Sequence, residues 1–194
     1  MKAAVLEQAG KAISIVDDVD VIEPRSHEVR VRVKYCGLCH SDLGFVTGKM
    51  PLMGPMIPGH EASGVVESVG PGVSHLAQGD HVVLTPAAPC GQCYYCQRNE
   101  HSLCVNAMSI MSGLLPDGTS GISRDGEALL RGCGMGALAE YVTLPATGAI
   151  KIDEDIPLEV ACVIGCALQT GVGAVLNTAA VEAGATCVVM GLGG

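Results

Sequence analysis

The chain has 194 residues, of which 48% are apolar and 16% are charged, so it can bury a core and does not have the composition of a disordered segment. Its net charge of −9, with no cluster of Lys and Arg, argues against binding to nucleic acid. The first residues carry Lys2 and Glu7 and lack the apolar run of a signal peptide, so we expect a cytoplasmic protein.

The first 150 residues or so consist of short apolar runs separated by glycine and proline. Residues 28–35 alternate polar and apolar side chains, which is the period of a half-buried strand. A second predicted strand, residues 62–69, ends at a Gly-Pro-Gly turn, and a third, residues 81–84, follows the Gly79-Asp80 turn. Short strands separated by such turns predict a small, partly open β-barrel.

The pattern changes after Pro157. Residues 158–183 are rich in Ala, Val and Leu and predict a buried helix that is broken near its glycines and ends at Gly184. The uncharged stretch 160–181 is long enough to cross a bilayer, but its polar residues and glycines favour a core helix, and we expect no membrane span. Residues 186–190 predict a strand leading into Gly191-Leu-Gly193-Gly. Helix, strand and glycine turn in this order open a Rossmann-type nucleotide-binding sheet.

Ten cysteines are many for this length, and metal binding is a better interpretation than a secreted disulfide scaffold, which is usually shorter and less apolar. The sharpest motif is Cys90-x2-Cys93-x2-Cys96-x7-Cys104. Four thiolates at short intervals can surround one tetrahedral Zn2+, and such a closed site is structural. The alternatives are disulfides or an iron–sulfur cluster, but bacterial ferredoxins place the fourth cysteine after three residues and follow it with proline.

A second group of metal-binding residues follows the first predicted strand. Cys39-His40-Ser41-Asp42 comes directly after that strand, and Gly59-His60-Glu61 lies about twenty residues further on. One cysteine, one histidine and a second, distant cysteine form the ligand set of an alcohol-oxidising zinc site, which leaves a fourth position for water or substrate.

With these motifs in this order, the chain resembles the zinc-dependent medium-chain alcohol dehydrogenases over its whole length. The resemblance implies a mainly β fold with some α: a GroES-like, partly open barrel in residues 1–155, and the first helix and strand of a Rossmann domain in residues 156–194. It implies an oxidoreductase that interconverts alcohols and aldehydes or ketones by hydride transfer to or from NAD or NADP. It further implies two zinc ions per chain, and a homodimer or homotetramer for the full-length protein.

The resemblance also implies roles for individual residues at the catalytic zinc. The implied ligands are Cys39, His60 and Cys166. Glu61 is implied to be the carboxylate beside this zinc, Asp42 to orient the histidine ligand, and Ser41 to accept the substrate proton. The implied contacts to the cofactor are His40, Thr170, Gly191 and Gly193.

Three features depart from the usual pattern of the family. Gly44 stands where many relatives end the proton relay with a histidine, so the relay must end in water, in the cofactor ribose or at another side chain. The long segment 105–136 resembles members that oxidise aldehyde–thiol adducts, which makes a thiol-dependent formaldehyde dehydrogenase an alternative. The third glycine of the nucleotide fingerprint would fall at position 196, so we expect the 194 residues alone to be an inactive, zinc-stabilised fragment.

The remaining cysteines and histidines receive no catalytic role. We expect Cys36, Cys133, Cys162 and Cys187 to be small buried side chains. A structural role is expected for His81 and a surface position for His101.

Overall fold

The computed structural model describes residues 1–86 and 88–191. In that part of the chain the strands are β1 (Ala3–Val5), β2 (Ser14–Val16), β3 (Val19–Val21), β4 (Glu28–Gly37), β5 (Met56–Ile57), β6 (Glu61–Val69), β7 (His81–Leu84), β8 (Ile122–Arg124), β9 (Glu127–Ala128), β10 (Leu130–Arg131), β11 (Tyr141–Pro145) and β12 (Ala149–Lys151). The α-helices are α1 (His40–Val46), α2 (Ser109–Ser112), α3 (Leu158–Ala161) and α4 (Ala167–Gly173). Shorter helical turns are 3-10 turns at Cys96–Arg98, His101–Leu103, Val105–Met108, Gly132–Gly134, Ala146–Gly148 and Cys162–Gly165, and a π-helical turn at Ala174–Thr178.

The main sheet has five strands in the order β11–β4–β6–β7–β12, and each neighbouring pair is antiparallel. It contains all three of the strands predicted from alternation and turns. In β4, Val29 and Val31 are buried while Arg32 is exposed, as a strand with one face on the core requires. The buried apolar side chains of this sheet form the largest core cluster, which includes Val66, Leu84 and Val142.

Smaller sheets close the rest of the barrel: β1 pairs with β2, β8 pairs with both β3 and β9, and β5 pairs with β10. Two further apolar clusters lie under them. Arg131 in β10 has a side chain that is fully buried. Its guanidinium donates hydrogen bonds to the backbone oxygens of Ser120, Gly134 and Thr143, so its burial is matched by acceptors.

The end of the chain differs from the prediction. Residues 158–178 form a series of short helical stretches that break after Gly165, as predicted near a glycine, but large side chains such as Val160 and Leu176 are exposed, so the prediction that this helix is buried is wrong. The predicted strand at residues 186–190 does not form: Val188 is 83% exposed and Met190 is 93% exposed. No described strand lies beside this segment, and a strand without a neighbour cannot satisfy its backbone hydrogen bonds. The backbone of Gly184 has a left-handed conformation, with a positive φ, but the last helical turn already ends at Thr178.

No single helix in residues 1–86 and 88–191 is long and apolar enough to cross a membrane. One bent pair, Leu158–Gly165 followed by Ala167–Thr178 at an angle of 53°, reaches the required length and apolarity when its two parts are taken together.

Candidate functional site

The pairing of β4 with β6 brings the first two candidate metal ligands together. The two strands are antiparallel, and Gly37 at the end of β4 lies opposite Glu61 at the start of β6. Cys39 follows β4 by two residues, and His60 directly precedes β6. Both side chains therefore lie at the same end of the sheet.

Two glycines make this approach possible. A Cβ atom at Gly37 would lie 2.5 Å from Oε2 of Glu61, so a larger residue would displace that carboxylate. Gly59 has a φ of +94° and a backbone that passes close to Leu138, where a Cβ atom would lie 2.7 Å from the amide nitrogen. The conformation and the space both require glycine directly before His60.

Cys166 reaches the same place from a distant part of the chain. It lies between the 3-10 turn Cys162–Gly165 and helix α4. The turn packs on β4, β6 and β7, and a Cβ atom at Gly165 would overlap the carbonyl oxygen of Leu84 at the end of β7. Because residue 165 is a glycine, the chain can lie directly on the sheet at the point where Cys166 turns inward.

Four donor groups meet at this point. The sulfurs of Cys39 and Cys166, a ring nitrogen of His60 and a carboxylate oxygen of Glu61 all lie within 4.8 Å of one another. His60 and Glu61 are buried, while the two cysteines are half-buried. Two thiols and one imidazole are the donor set of a catalytic zinc site, and the residues therefore fit that metal.

Asp42 lies behind His60. Its Oδ1 is 3.4 Å from His60 Nδ1, a distance within ion-pair range but too long for a good hydrogen bond, and Nδ1 has no hydrogen-bond partner among the described residues. The carboxylate accepts hydrogen bonds from the N–H groups of Cys39 at 3.0 Å and Gly59 at 2.9 Å. Nδ1 faces Asp42, which leaves Nε2 as the ring nitrogen for a metal.

The charges of this pair depend on each other. Burial lowers the pKa of His60, but the Asp42 carboxylate and the Cys133 thiol more than offset this and raise it to about 12. Burial raises the pKa of Asp42, yet the nearby His60 imidazole and the hydrogen bond from the Gly59 N–H bring it below the usual value. The raised pKa favours the charged form of His60 beside this carboxylate in the metal-free protein, so a metal ion competes with its proton.

His40 and Ser41, which follow Cys39 at the start of helix α1, differ in their exposure to solvent. The hydroxyl of Ser41 is half-buried and 3.6 Å from the Cys39 sulfur, whereas His40 is exposed. A Cβ atom at Gly44 would lie 3.0 Å from the Cγ and Sδ atoms of Met50. The Met50 thioether therefore occupies the space beside residue 44.

The four cysteines of the second motif also converge. Cys90, Cys93, Cys96 and Cys104 place their sulfurs within 4.8 Å of one another, which is a possible four-cysteine zinc site. Backbone amides point at these sulfurs: the Cys90 and Asn106 N–H groups donate to Cys104, and the Cys93 N–H donates to Cys90. His101 is exposed and lies outside this group, as predicted.

The lobe stabilises thiolate at some of its cysteines. Bonds from the N–H groups of Cys96 and Val105 lower the pKa of Cys93 to about 6. Burial raises the pKa of Cys96 to about 12. Several thiols at such short distance do not ionise together unless a cation lies between them.

The predicted cofactor contacts are not gathered into a site. Thr170 is exposed on α4, where its N–H donates to the carbonyl oxygen of Cys166 at 2.9 Å. Gly191 is exposed with a φ of +90°, and Gly193 lies outside the described residues.

The burial of the other cysteines corrects one prediction. Cys133 and Cys162 are buried and Cys36 is half-buried, but Cys187 is exposed because the end of the chain lies away from the core. Cys133 has a left-handed backbone conformation, with a φ of 50°, which no spacing in the sequence indicates. Only its position between Gly132 and Gly134 marks it as unusual.

Comparison with known proteins identifies the family. A family model described as the alcohol dehydrogenase GroES-like domain matches residues 25–154. The chain is 41% identical over 194 residues to an alcohol dehydrogenase class-3 of Drosophila melanogaster, in a match that covers 99% of this chain and 51% of that protein.

Solved structures agree with this assignment. An alcohol dehydrogenase zinc-binding domain protein from Burkholderia ambifaria matches with a TM-score of 0.85 and 39% identity over 93% of this chain and 49% of its own. A benzyl alcohol dehydrogenase from Acinetobacter calcoaceticus matches with a TM-score of 0.81 and 31% identity, over 91% and 47%. The chain thus spans about half the length of these relatives. It belongs to the zinc-type medium-chain alcohol dehydrogenase family and contains the GroES-like domain of that family.

Proposed function

We propose that the protein interconverts alcohols and aldehydes or ketones by hydride transfer to or from NAD or NADP, with a catalytic zinc at Cys39, His60 and Cys166. The observation that supports this best is the convergence of these three donors and Glu61 within 4.8 Å. Three protein ligands leave one position open for substrate. A zinc ion there supplies Lewis acidity, which favours loss of the alcohol proton. The four-cysteine lobe would hold a second, structural zinc.

Side chains of this chain would handle the proton. The hydroxyl of Ser41 lies 3.6 Å from the Cys39 sulfur, and we assign it as the acceptor of the alcohol proton. The path from Ser41 does not continue through residue 44, since Met50 occupies the space there. The proton would pass instead to water, to the cofactor ribose or to another side chain.

Two carboxylates would act at different distances from the metal. Glu61 lies within the donor group, and we assign it a role in ligand exchange at the open position. Asp42 lies behind His60 and would hold the imidazole so that Nε2 faces the two sulfurs.

We also propose that residues 1–155 form the catalytic domain and that residues 156–194 begin the dinucleotide-binding domain. His40 and Thr170 are exposed beside the metal ligands Cys39 and Cys166, where a cofactor could reach them. Gly191 and Gly193 would belong to the phosphate-binding turn.

The metal assignment is tested by zinc content. Elemental analysis of the purified chain should give two zincs, and Cys39→Ala or His60→Ala should reduce the content to one. In a protein that also contains the cofactor-binding portion, the same variants should lose alcohol-dependent reduction of the nicotinamide. Unchanged rates in both variants would disprove the proposal.

Two alternatives have their own tests. The long segment 105–136 favours a thiol-dependent formaldehyde dehydrogenase, for which the rate would depend on an added low-molecular-weight thiol. If instead the 194 residues are only a zinc-stabilised fragment, they should not bind NADH, and tight binding in a fluorescence titration would exclude that alternative.

A further inference from the structure

Ser63 in β6 has a buried hydroxyl that bonds to a distant segment of the chain. Its side chain is 0% exposed, and its Oγ donates a hydrogen bond of 2.6 Å to the carbonyl oxygen of Leu158, 95 residues further along. Because the side chains of a strand alternate between its two faces, Ser63 lies on the same face of β6 as Glu61, whereas Ala62 between them belongs to the barrel core. One face of β6 is therefore covered by the core, and the other by the segment that begins at Leu158.

The bonded carbonyl belongs to the segment that leads to Cys166. Helix α3 begins at Leu158, the 3-10 turn Cys162–Gly165 follows it, and Cys166 comes directly after that turn. The Leu158 oxygen also accepts the N–H of Cys162, so the Ser63 hydroxyl bonds to the same carbonyl that closes the helical turn. The bond from Ser63 thus fixes α3 on the sheet shortly before the third metal donor.

The rest of this segment is held to the sheet by small contacts. Ala161 and Cys162 are buried, but the larger side chains of Val160 and Ile164 are exposed. The backbone N–H groups of Ala161 and Cys166 bond within the segment and not to the sheet. Two small buried side chains contribute little apolar stabilisation, so one directed hydrogen bond is a large part of what holds Cys166 in place.

We propose that Ser63 is a positioning residue, whose hydrogen bond to Leu158 holds α3 and the following turn on the sheet so that the Cys166 sulfur meets Cys39 and His60. This inference rests on the proposed zinc site, because it concerns how the third ligand of that metal is held. Ser63 acts through Cys166 and is not itself a metal donor. Without the bond, Cys166 lies away from the other donors for part of the time, and the apparent zinc affinity falls with the fraction of competent protein.

Ser63→Ala removes the hydroxyl and changes little else, and Thr143→Val is its matched control. Thr143 is also 0% exposed, lies in the same sheet, and donates from Oγ1 to the carbonyl oxygen of Ile22 at 3.0 Å. Each variant therefore loses one buried hydrogen bond to a distant carbonyl, but the carbonyl that Ser63 holds is in the segment that carries Cys166. Zinc affinity at the Cys39–His60–Cys166 site is measured by competition with a chelator, and thermal unfolding is measured on the same samples.

A second readout comes from cobalt, which is loaded in place of zinc. Its sulfur-to-cobalt absorption bands report how many thiolates bind the ion. The contribution of the lobe is taken from a Cys39→Ala/His60→Ala double variant and subtracted. Cys166→Ala gives the reference spectrum for a site that lacks this thiolate.

We expect Ser63→Ala to weaken zinc binding at this site by roughly 3- to 10-fold, the range that the loss of one hydrogen bond covers, and to move the cobalt spectrum toward that of Cys166→Ala. Thr143→Val should lower the unfolding temperature by a similar amount and change neither metal readout. If Ser63→Ala binds zinc and cobalt as the wild type does, or if both variants weaken zinc binding equally, the inference is wrong. A wild-type protein that holds zinc in the lobe alone would instead overturn the proposed function, and this inference with it.

Discussion

The carboxylate of Asp42 lies 3.4 Å from Nδ1 of His60, and both side chains are buried, at 5% and 3% exposure. The same carboxylate accepts the N–H of Cys39 from the loop after β4 and the N–H of Gly59 from the loop before β6. One side chain thus connects the two loops that carry the first two metal donors. Its loss should affect the metal site more than the barrel.

Asp42→Asn should weaken zinc binding at the Cys39–His60–Cys166 site by roughly 10–100-fold, the usual effect of removing a group that orients a metal ligand. Asparagine has a single acceptor oxygen, whereas the two carboxylate oxygens of Asp42 accept separately from Cys39 and Gly59. Asparagine also lacks the negative charge that faces His60. Zinc per chain, measured during stepwise chelation, should show early loss of one zinc and retention of the other.

The matched control for this variant is Asp80→Asn. Asp80 also accepts a backbone N–H, from Ala77, and pairs with Lys151 at 2.6 Å, but it lies in the turn before β7. It should keep both zincs under the same conditions. Equal zinc loss in the two variants would mean that Asp42 acts through general stability.

The Asp42–His60 pair also predicts how the stability of the metal-free protein depends on pH. The pKa of Asp42 is lowered, so its contribution to stability is present above the unfolded value of about 4 and is lost as the pH falls through the folded value. The pKa of His60 is raised to about 12, so its contribution is complete below the unfolded value of about 6.5 and is lost as the pH rises toward 12. Both contributions are complete only between about pH 4 and 6.5.

Urea unfolding of the chelated protein at pH 5.5, 7 and 8.5 measures this dependence. Stability should fall across the series in the wild type and fall much less in His60→Gln, which cannot carry the proton. With zinc bound, the metal replaces the proton on His60, and the decline should largely disappear. Parallel slopes for wild type and His60→Gln in the absence of metal would show that the pair does not control the pH dependence.

Local patterns were enough to predict the part of the barrel that carries the site. Alternation in β4, and the Gly-rich turns that bound β6 and β7, predict the three central strands. The antiparallel pairing of β4 with β6 then explains why Cys39 and His60 meet. The four-cysteine lobe was predictable from spacing alone, because all of its ligands lie in one short segment.

Other features depend on contacts between distant residues and could not be predicted from local pattern. Cys166 was assigned only through the family resemblance, since an apolar surrounding usually indicates a core cysteine. The left-handed turn at Cys133 and the buried Arg131 that bonds to Gly134 have no periodic signal. The apolar run 186–190 has the composition of a strand, but strand formation also requires a neighbouring strand, and the described residues supply none.

Cys104→Ser should remove the structural zinc and leave the other in place. The sulfur of Cys104 is buried and accepts N–H bonds from Cys90 and Asn106, so the metal and this sulfur together organise the lobe. Large side chains of the lobe such as Tyr94 and Leu103 are exposed, so apolar burial contributes little to holding it closed. Elemental analysis should give one zinc, and limited proteolysis should cut within residues 90–106.

The control for the lobe is Cys187→Ser, which changes an exposed cysteine far along the chain from the lobe. It should keep two zincs and the wild-type pattern of proteolysis. Two zincs and an uncut lobe in Cys104→Ser would show that this cysteine is not a ligand.

Gly59→Ala and Gly79→Ala should separate the effect of backbone strain from that of steric overlap. The two glycines have almost the same φ, +94° and +95°, so alanine is strained to a similar degree at both, by roughly 1–3 kcal/mol. At Gly79 no atom lies within 4 Å of an added Cβ, whereas at Gly59 it would lie 2.7 Å from Leu138 N and 2.9 Å from Cys36 Sγ. Gly59→Ala should therefore lower the free energy of unfolding by more than Gly79→Ala.

The same overlap would displace His60 from the donor group. Gly59→Ala should therefore also release the zinc at Cys39–His60–Cys166, while Gly79→Ala keeps two zincs. Equal losses of stability, with both zincs retained in each variant, would mean that the segment before His60 can relax around a side chain and that the close approach at Gly59 is not required for the site.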